Sequence, residues 1–175
     1  MFFSGVTAVR IRELNVPALV EDGSENILLD CDYDYEENEK VQLEIKWYFN
    51  SEPTPFYQWV PEKNARPQII GDKFRHHVDL DHVVHTDSHK RHRALLLKRP
   101  TTELSGVYTC KVSSLISEDT QRKRMIVYCK YTNIDFFNSH KSKKFPYLNF
   151  PPQLSSPYEE IQWLLWRVLQ NCTPM

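Results

Sequence analysis

The chain has 175 residues, 41% of them hydrophobic and 26% charged, with a formal net charge of −1. That length buries one ordinary domain core with some chain to spare. The charge offers no electrostatic hold on nucleic acid, and no apolar run approaches the ~20 residues of a membrane-spanning helix. The opening, MFFSGVTAVRIREL, meets Arg10 and Arg12 too early for a secretory leader. The chain therefore reads either as cytosolic or as one whose leader lies outside this sequence, and the cysteines must decide.

Extended segments dominate before residue 130. Residues 8–12 and 16–20 read as short strands broken by Pro17, and 26–32 (NILLDCD) as a strand carrying Cys31. In 42–49, Leu43, Ile45 and Trp47 alternate with Glu44, Lys46 and Tyr48, the period of a half-buried strand. Residues 56–60 (FYQWV) form an aromatic strand between Pro55 and Pro61; 73–80, 93–98, 106–112 and 122–128 complete the set. Prolines and polar clusters between them are turn material. Eight or nine short strands joined by turns predict an all-β two-sheet sandwich or a barrel.

Four residues are spaced suggestively within these strands. Trp47 follows Cys31 by 16 residues, and Tyr108 stands two before Cys110. In a sandwich, cysteines on facing sheets can bridge the core with an indole against the bridge. A tyrosine at the strand corner then turns its hydroxyl back to the backbone. Alternation puts Tyr108 and Cys110 on the inward face and Val107, Thr109 and Lys111 on the outward one. The competing reading is four unrelated buried residues in some other β fold.

Residues 8–128 resemble a variable-type immunoglobulin domain, with 79 residues from Cys31 to Cys110 leaving room for the extra C′ and C″ strands of that type. More narrowly, VRIRELNVPALVEDGSENILLDCDYD, KWYFNSEPTPFYQWVP and ELSGVYTCKVS resemble the insect beaten-path family of neuronal immunoglobulin proteins. Leu104 stands where many variable domains carry an aspartate paired with an arginine below the core, a substitution the beaten-path pattern accepts. SSLISEDTQ is a looser match, and the second domain of that family does not follow. The resemblance implies a V-type domain over 1–130, a Cys31–Cys110 disulfide, and an extracellular protein, secreted or at the cell surface. It implies a sidestep-type immunoglobulin receptor as partner, in axon guidance and synaptic matching. The alternative is a homophilic structural or immune adhesion module. A disulfide persists in an oxidising compartment, which favours a chain whose leader lies outside this sequence. Cys129 and Cys172 pair with each other, pair with another chain, or stay free.

Residues 131–175 change character. KYTNIDFFNSHKSKKFPYLNFPPQLSS has no periodicity, whereas Ser156, Pro157 and Glu159 make a capping box for a helix over 157–171. That helix would dock on the sandwich, lie on a membrane, or bind a partner; equally, the tail reads as read-through from a misplaced gene end. Asn171 begins the only Asn-x-Ser/Thr sequon.

Catalysis finds no footing in the residues. His82, His85, His89 and His92 have helical spacing that suits zinc, but Thr86, Asp87 and Ser88 break the helix, so a solvated loop is expected. The acidic run YDYEENEK likewise reads as a solvated B–C loop. Four glycines leave no phosphate-binding loop, and no cofactor or metal is implied. Binding is better served. The outward face of the C, C′ and F strands should present Glu44, Lys46, Tyr48, Tyr57, Trp59, Thr109 and Lys111, with Tyr48, Tyr57 and Trp59 as an exposed aromatic patch.

Overall fold

Side-chain alternation carries directly into the fold of the computed structural model, which describes residues 8–63 and 66–129. Ten strands form: β1 Arg10–Asn15, β2 Leu19–Glu21, β3 Asn26–Asp34, β4 Glu44–Phe49, β5 Tyr57–Trp59, β6 Gln68–Ile69, β7 Val78–Asp79, β8 Leu95–Lys98, β9 Gly106–Ser113 and β10 Glu118–Tyr128. They make a four-stranded sheet in the order β1-β3-β8-β7 and a six-stranded sheet in the order β2-β10-β9-β4-β5-β6. The tail, the helix expected over 157–171, Cys172 and Asn171 lie outside the described residues.

Pro17 has no N–H to give a ladder, and the chain crosses there from one sheet to the other. β1 belongs to the first sheet and β2 to the second, beside β10. A bulge between Ile11 and Glu13 shifts the β1–β3 register, so that Ile11 and Leu14 both face inward. On β3 the inward residues are Leu29, Cys31 and Tyr33, and on β4 they are Leu43 (just before it), Ile45, Trp47 and Phe49.

The core closes around the expected staple. Cys31 and Cys110 are bonded, with their Cα atoms 6.4 Å apart. Trp47 pairs in register with Cys110 and is fully buried. The Tyr108 hydroxyl donates to the Leu104 carbonyl at 2.7 Å, across the turn that precedes β9. Leu104 is buried, and aromatic rings occupy the lower core near it. Phe74 stacks on Phe56 at 3.9 Å and meets Phe49 and Tyr108 edge-on.

That anchoring explains one departure from the sequence reading. Residues 73–80 were expected as a strand, but only Val78–Asp79 enters a ladder. Phe74 instead turns into the aromatic cluster, and its carbonyl receives the amides of His77 and Val78, both at 3.0 Å. A second departure is β10, which starts at Glu118 rather than at 122. Its early side chains face polar work. Asp119 accepts the Ile11 amide at 2.7 Å, and Gln121 donates to the Ile11 carbonyl at 3.0 Å. Polar residues that satisfy a neighbouring strand's backbone do not produce an apolar alternation. β6 was not anticipated; two residues leave no period to detect.

Gly106 opens β9 where backbone passes against the core. A Cβ there would lie 2.5 Å from both Asn50 Oδ1 and Phe49 Cε2. Phe49 is pinned by Phe74 and Tyr108, so it has little room to yield. Gly106→Ala is expected to destabilise the domain by about 1–3 kcal/mol, read as a lower urea midpoint at unchanged slope.

Candidate functional face and loop tip

The outward side of the six-stranded sheet is built by the strand register. Lys46 faces Gln58 on β5 and Lys111 on β9; Gln58 faces Gln68 on β6, and Lys111 faces Thr120 on β10. One step along, Tyr48 faces Thr109, which faces Arg122; one step back, Glu44 faces Ser113, which faces Glu118. Two lysines set directly opposite repel, and carboxylates relieve them. Lys46 Nζ lies 2.6 Å from Glu44, and Lys111 Nζ lies 2.6 Å from Glu118. The Glu118 carboxylate holds the Lys111 ammonium above the ordinary lysine range. Gln58 donates to Glu44 as well. Such pairs at partly exposed sites stabilise little; they orient the charges.

Glu44, Lys46, Tyr48, Thr109 and Lys111 are half-buried on this face. Tyr57 and Trp59 are not on it. They are 2% and 3% exposed and belong to the core. The reason is register: Tyr57 pairs with Trp47 and Trp59 with Ile45, and residues directly opposite in a ladder share a face. The Tyr57 hydroxyl donates to the His92 carbonyl at 2.6 Å, and burial pushes its pKa up. The three-ring outward patch therefore does not form; Tyr48 is its only member on that side, in a polar ladder.

The expected solvated B–C loop is corrected too. Asp34 is on β3, where it pairs with Arg12 and Lys90, and Asp32 pairs with Arg93. Arg93 also forks onto both oxygens of Asp30 at 3.0 Å. Glu39, in a short 3-10 turn over Glu37–Glu39, is only 1% exposed. Its carboxylate accepts the Val9 amide at 2.9 Å, the Glu36 amide at 3.2 Å, the Ser114 hydroxyl at 3.3 Å and the Ser117 hydroxyl. Ser114 and Ser117 bound the four-residue turn between β9 and β10, closed by the Ser114 amide on the Ser117 carbonyl at 2.8 Å. One buried carboxylate thus ties the B–C loop, the F–G turn and the N-terminal strand together. Burial pushes its pKa up, but the hydrogen bonds from Ser117, Glu36, Val9 and Ser114 outweigh that and hold it below the ordinary glutamate range. The exposed side chains nearby in sequence include the apolar Val41, Leu115 and Ile116 beside the polar Glu37, Asn38 and Gln42. Sequence reading missed Glu39 because nothing distinguishes it from Asp34, Glu36 and Glu37 in the same run.

The histidine-bearing segment between β7 and β8 is pinned rather than loose. Tyr33 donates to the His89 carbonyl, and Tyr35 to Asp87 at 2.7 Å. Among the described residues no group of three or more His, Cys, Asp or Glu is placed to hold a metal ion. Of the alternatives for Cys129, the free thiol is removed, since it is disulfide-bonded.

Two packed antiparallel sheets, the added β5 and β6 strands, the Cys31–Cys110 bridge under Trp47 and the tyrosine corner define a variable-type immunoglobulin-like sandwich. No family model matches the chain, and no curated protein matches it. Among solved structures it is similar to the amphioxus IgVJ-C2 molecule, at 18% identity over 63% of this chain and 55% of that one, with a TM-score of 0.44. It is also similar to extracellular domains 3–5 of Drosophila OTK, at 15% identity over 68% of this chain and 35% of that one, with a TM-score of 0.47. The chain thus spans about half the length of the first and about a third of the second. The disulfide fits an extracellular location, and among the described residues no helix is long and apolar enough to cross a membrane.

Proposed function

We propose that the domain is an extracellular recognition module that meets another protein through the outward face of β10-β9-β4-β5-β6. The observation that carries this reading is the ladder centred on Lys46, Lys111, Tyr48 and Thr109: a continuous sheet face with oriented charges and one half-buried ring. The partner, following the beaten-path resemblance of three segments, is a sidestep-type immunoglobulin receptor on another cell, and the process is axon guidance or synaptic matching. The natural form is secreted or held at the cell surface.

A second reading has its own support. The face carries both signs, Glu44 and Glu118 beside Lys46 and Lys111, so a copy related by two-fold symmetry would find complementary charges. Sedimentation of the purified domain, alone and mixed with sidestep-type ectodomains, separates the two. A hetero-complex is expected, weakened about ten-fold or more by Tyr48→Ala or Lys111→Glu, which is at least about 1.4 kcal/mol. Self-association at micromolar concentration without a hetero-complex favours the homophilic reading. Full binding by both variants places the contact off this face.

A further inference from the structure

Away from the sheet face, in the segment between β7 and β8, Arg91 lines two hollows. One, of about 230 Å³, is lined by Trp59, Arg66, Asp81, Ser88, Arg91 and His92 among others. The other, of about 420 Å³, is lined by Val83, Val84, His85, Thr86 and Arg91. Arg91 is exposed, and among the described residues no hydrogen bond or ion pair holds its guanidinium. Arg66 is held by an exposed pair with Asp81, which solvent and salt loosen. Two guanidiniums, one hydroxyl and an imidazole therefore line one small hollow, with the Asp81 carboxylate on its wall paired to Arg66 so that Arg91 is the uncompensated cation.

We propose that this site takes an acidic sugar, a sulfated or uronate residue of an extracellular glycan chain, and holds it more tightly as the pH falls. The smaller hollow lies below the range of about 300–1,000 Å³ that accommodates drug-sized ligands, so it suits one charged sugar rather than a larger molecule. The second hollow shares Arg91 with the first, so the same guanidinium borders both. A guanidinium fork matches the oxygens of sulfate or carboxylate.

The pH dependence follows from one hydrogen bond. His92 Nδ1 lies 2.9 Å from the His82 carbonyl. A carbonyl only accepts, so Nδ1 carries the proton, and Nε2 of the neutral ring has a lone pair that repels an anion. Protonation turns that nitrogen into a donor. Burial, with the charges of Arg91 and His82, disfavours the charged ring, whereas the hydrogen bond to the His82 carbonyl and the charge of Asp81 favour it; Trp59 packs edge-on at 5.3 Å and adds no charge. A bound anion offsets the burial term, so ligand and proton bind cooperatively.

The test uses a size-defined heparin octasaccharide and the intact domain, with binding followed by fluorescence anisotropy. Binding is expected to tighten about ten-fold from about pH 7.4 to about pH 5.5. Arg91→Ser, an exposed change, should weaken it about ten-fold at the lower pH, and His92→Gln should remove most of the pH dependence. Tyr48→Ala should leave it unchanged, which separates this site from the sheet face. No binding at either pH, an undiminished affinity in Arg91→Ser, or a full pH response in His92→Gln overturns the proposal. Displacement by inorganic sulfate at the same concentration as a sulfated disaccharide would show a bare-anion site and overturn the sugar assignment. Near-UV circular dichroism of each variant confirms that the fold is intact.

Discussion

Replacing Cys31 and Cys110 together by alanine should lower the unfolding free energy by about 4–5 kcal/mol. The bridge closes a loop with a sequence separation of 79, and in the chain-entropy model the stabilisation grows with the logarithm of that length. Part of the cost also comes from the space the sulfurs leave in the core opposite Trp47, which pairs in register with Cys110. Domains of this size are stable by roughly 5–15 kcal/mol in total, so the variant sits near the folding threshold. Urea denaturation of the oxidised wild type and the double variant is the measurement. A midpoint shift equivalent to less than about 1 kcal/mol would mean that sheet packing alone holds the two layers together. Reduction of the wild type also opens the bridge at Cys129 and should cost at least as much as the double variant.

Glu39→Ala is the second large effect, an expected loss of about 3 kcal/mol, because amide and hydroxyl donors in a buried site lose a charged acceptor. Glu39→Gln keeps the shape and one acceptor oxygen and should cost less, about 1–2 kcal/mol. Acid should reveal the same interaction in the wild type. The folded-state pKa is depressed below the unfolded value, so the native state binds the proton less readily than the unfolded chain. Its stabilisation is full above the unfolded glutamate pKa and is lost as the pH falls through the folded one. Asp34, Asp79 and Asp87 are also held low, and the wild type will lose their contribution over the same acid range. The difference between wild type and Glu39→Gln isolates one carboxylate: it should be constant near neutrality and shrink on acidification below about pH 4. A difference independent of pH would show that Glu39 acts through packing alone. Backbone amide exchange supplies a local readout, with faster exchange expected at Val9 and in the 114–117 turn.

The two substitutions mark the limits of reading this chain one residue at a time. The cysteine, tryptophan and tyrosine spacing was legible because each residue sits on a strand whose inward face is set by alternation. The outward set from β4 and β9, namely Glu44, Lys46, Tyr48, Thr109 and Lys111, was legible for the same reason. FYQWV was not, because every second position is aromatic and the run lacks a polar face to give its orientation away. Only the pairing of Tyr57 with Trp47 decides that the tyrosine and Trp59 turn inward and Gln58 outward.

Local pattern alone thus determined an all-β chain, a sandwich or a barrel, and which side chains of a strand share a face, since a period of two is a property of adjacent positions. Long-range closure decided the rest. Glu39 meets Ser117 across 78 positions and Val9 across 30, and Arg93 reaches Asp30 across 63. A carboxylate in a charged run becomes a buried clasp only when distant donors converge on it, and that convergence arises from how the strands are stacked.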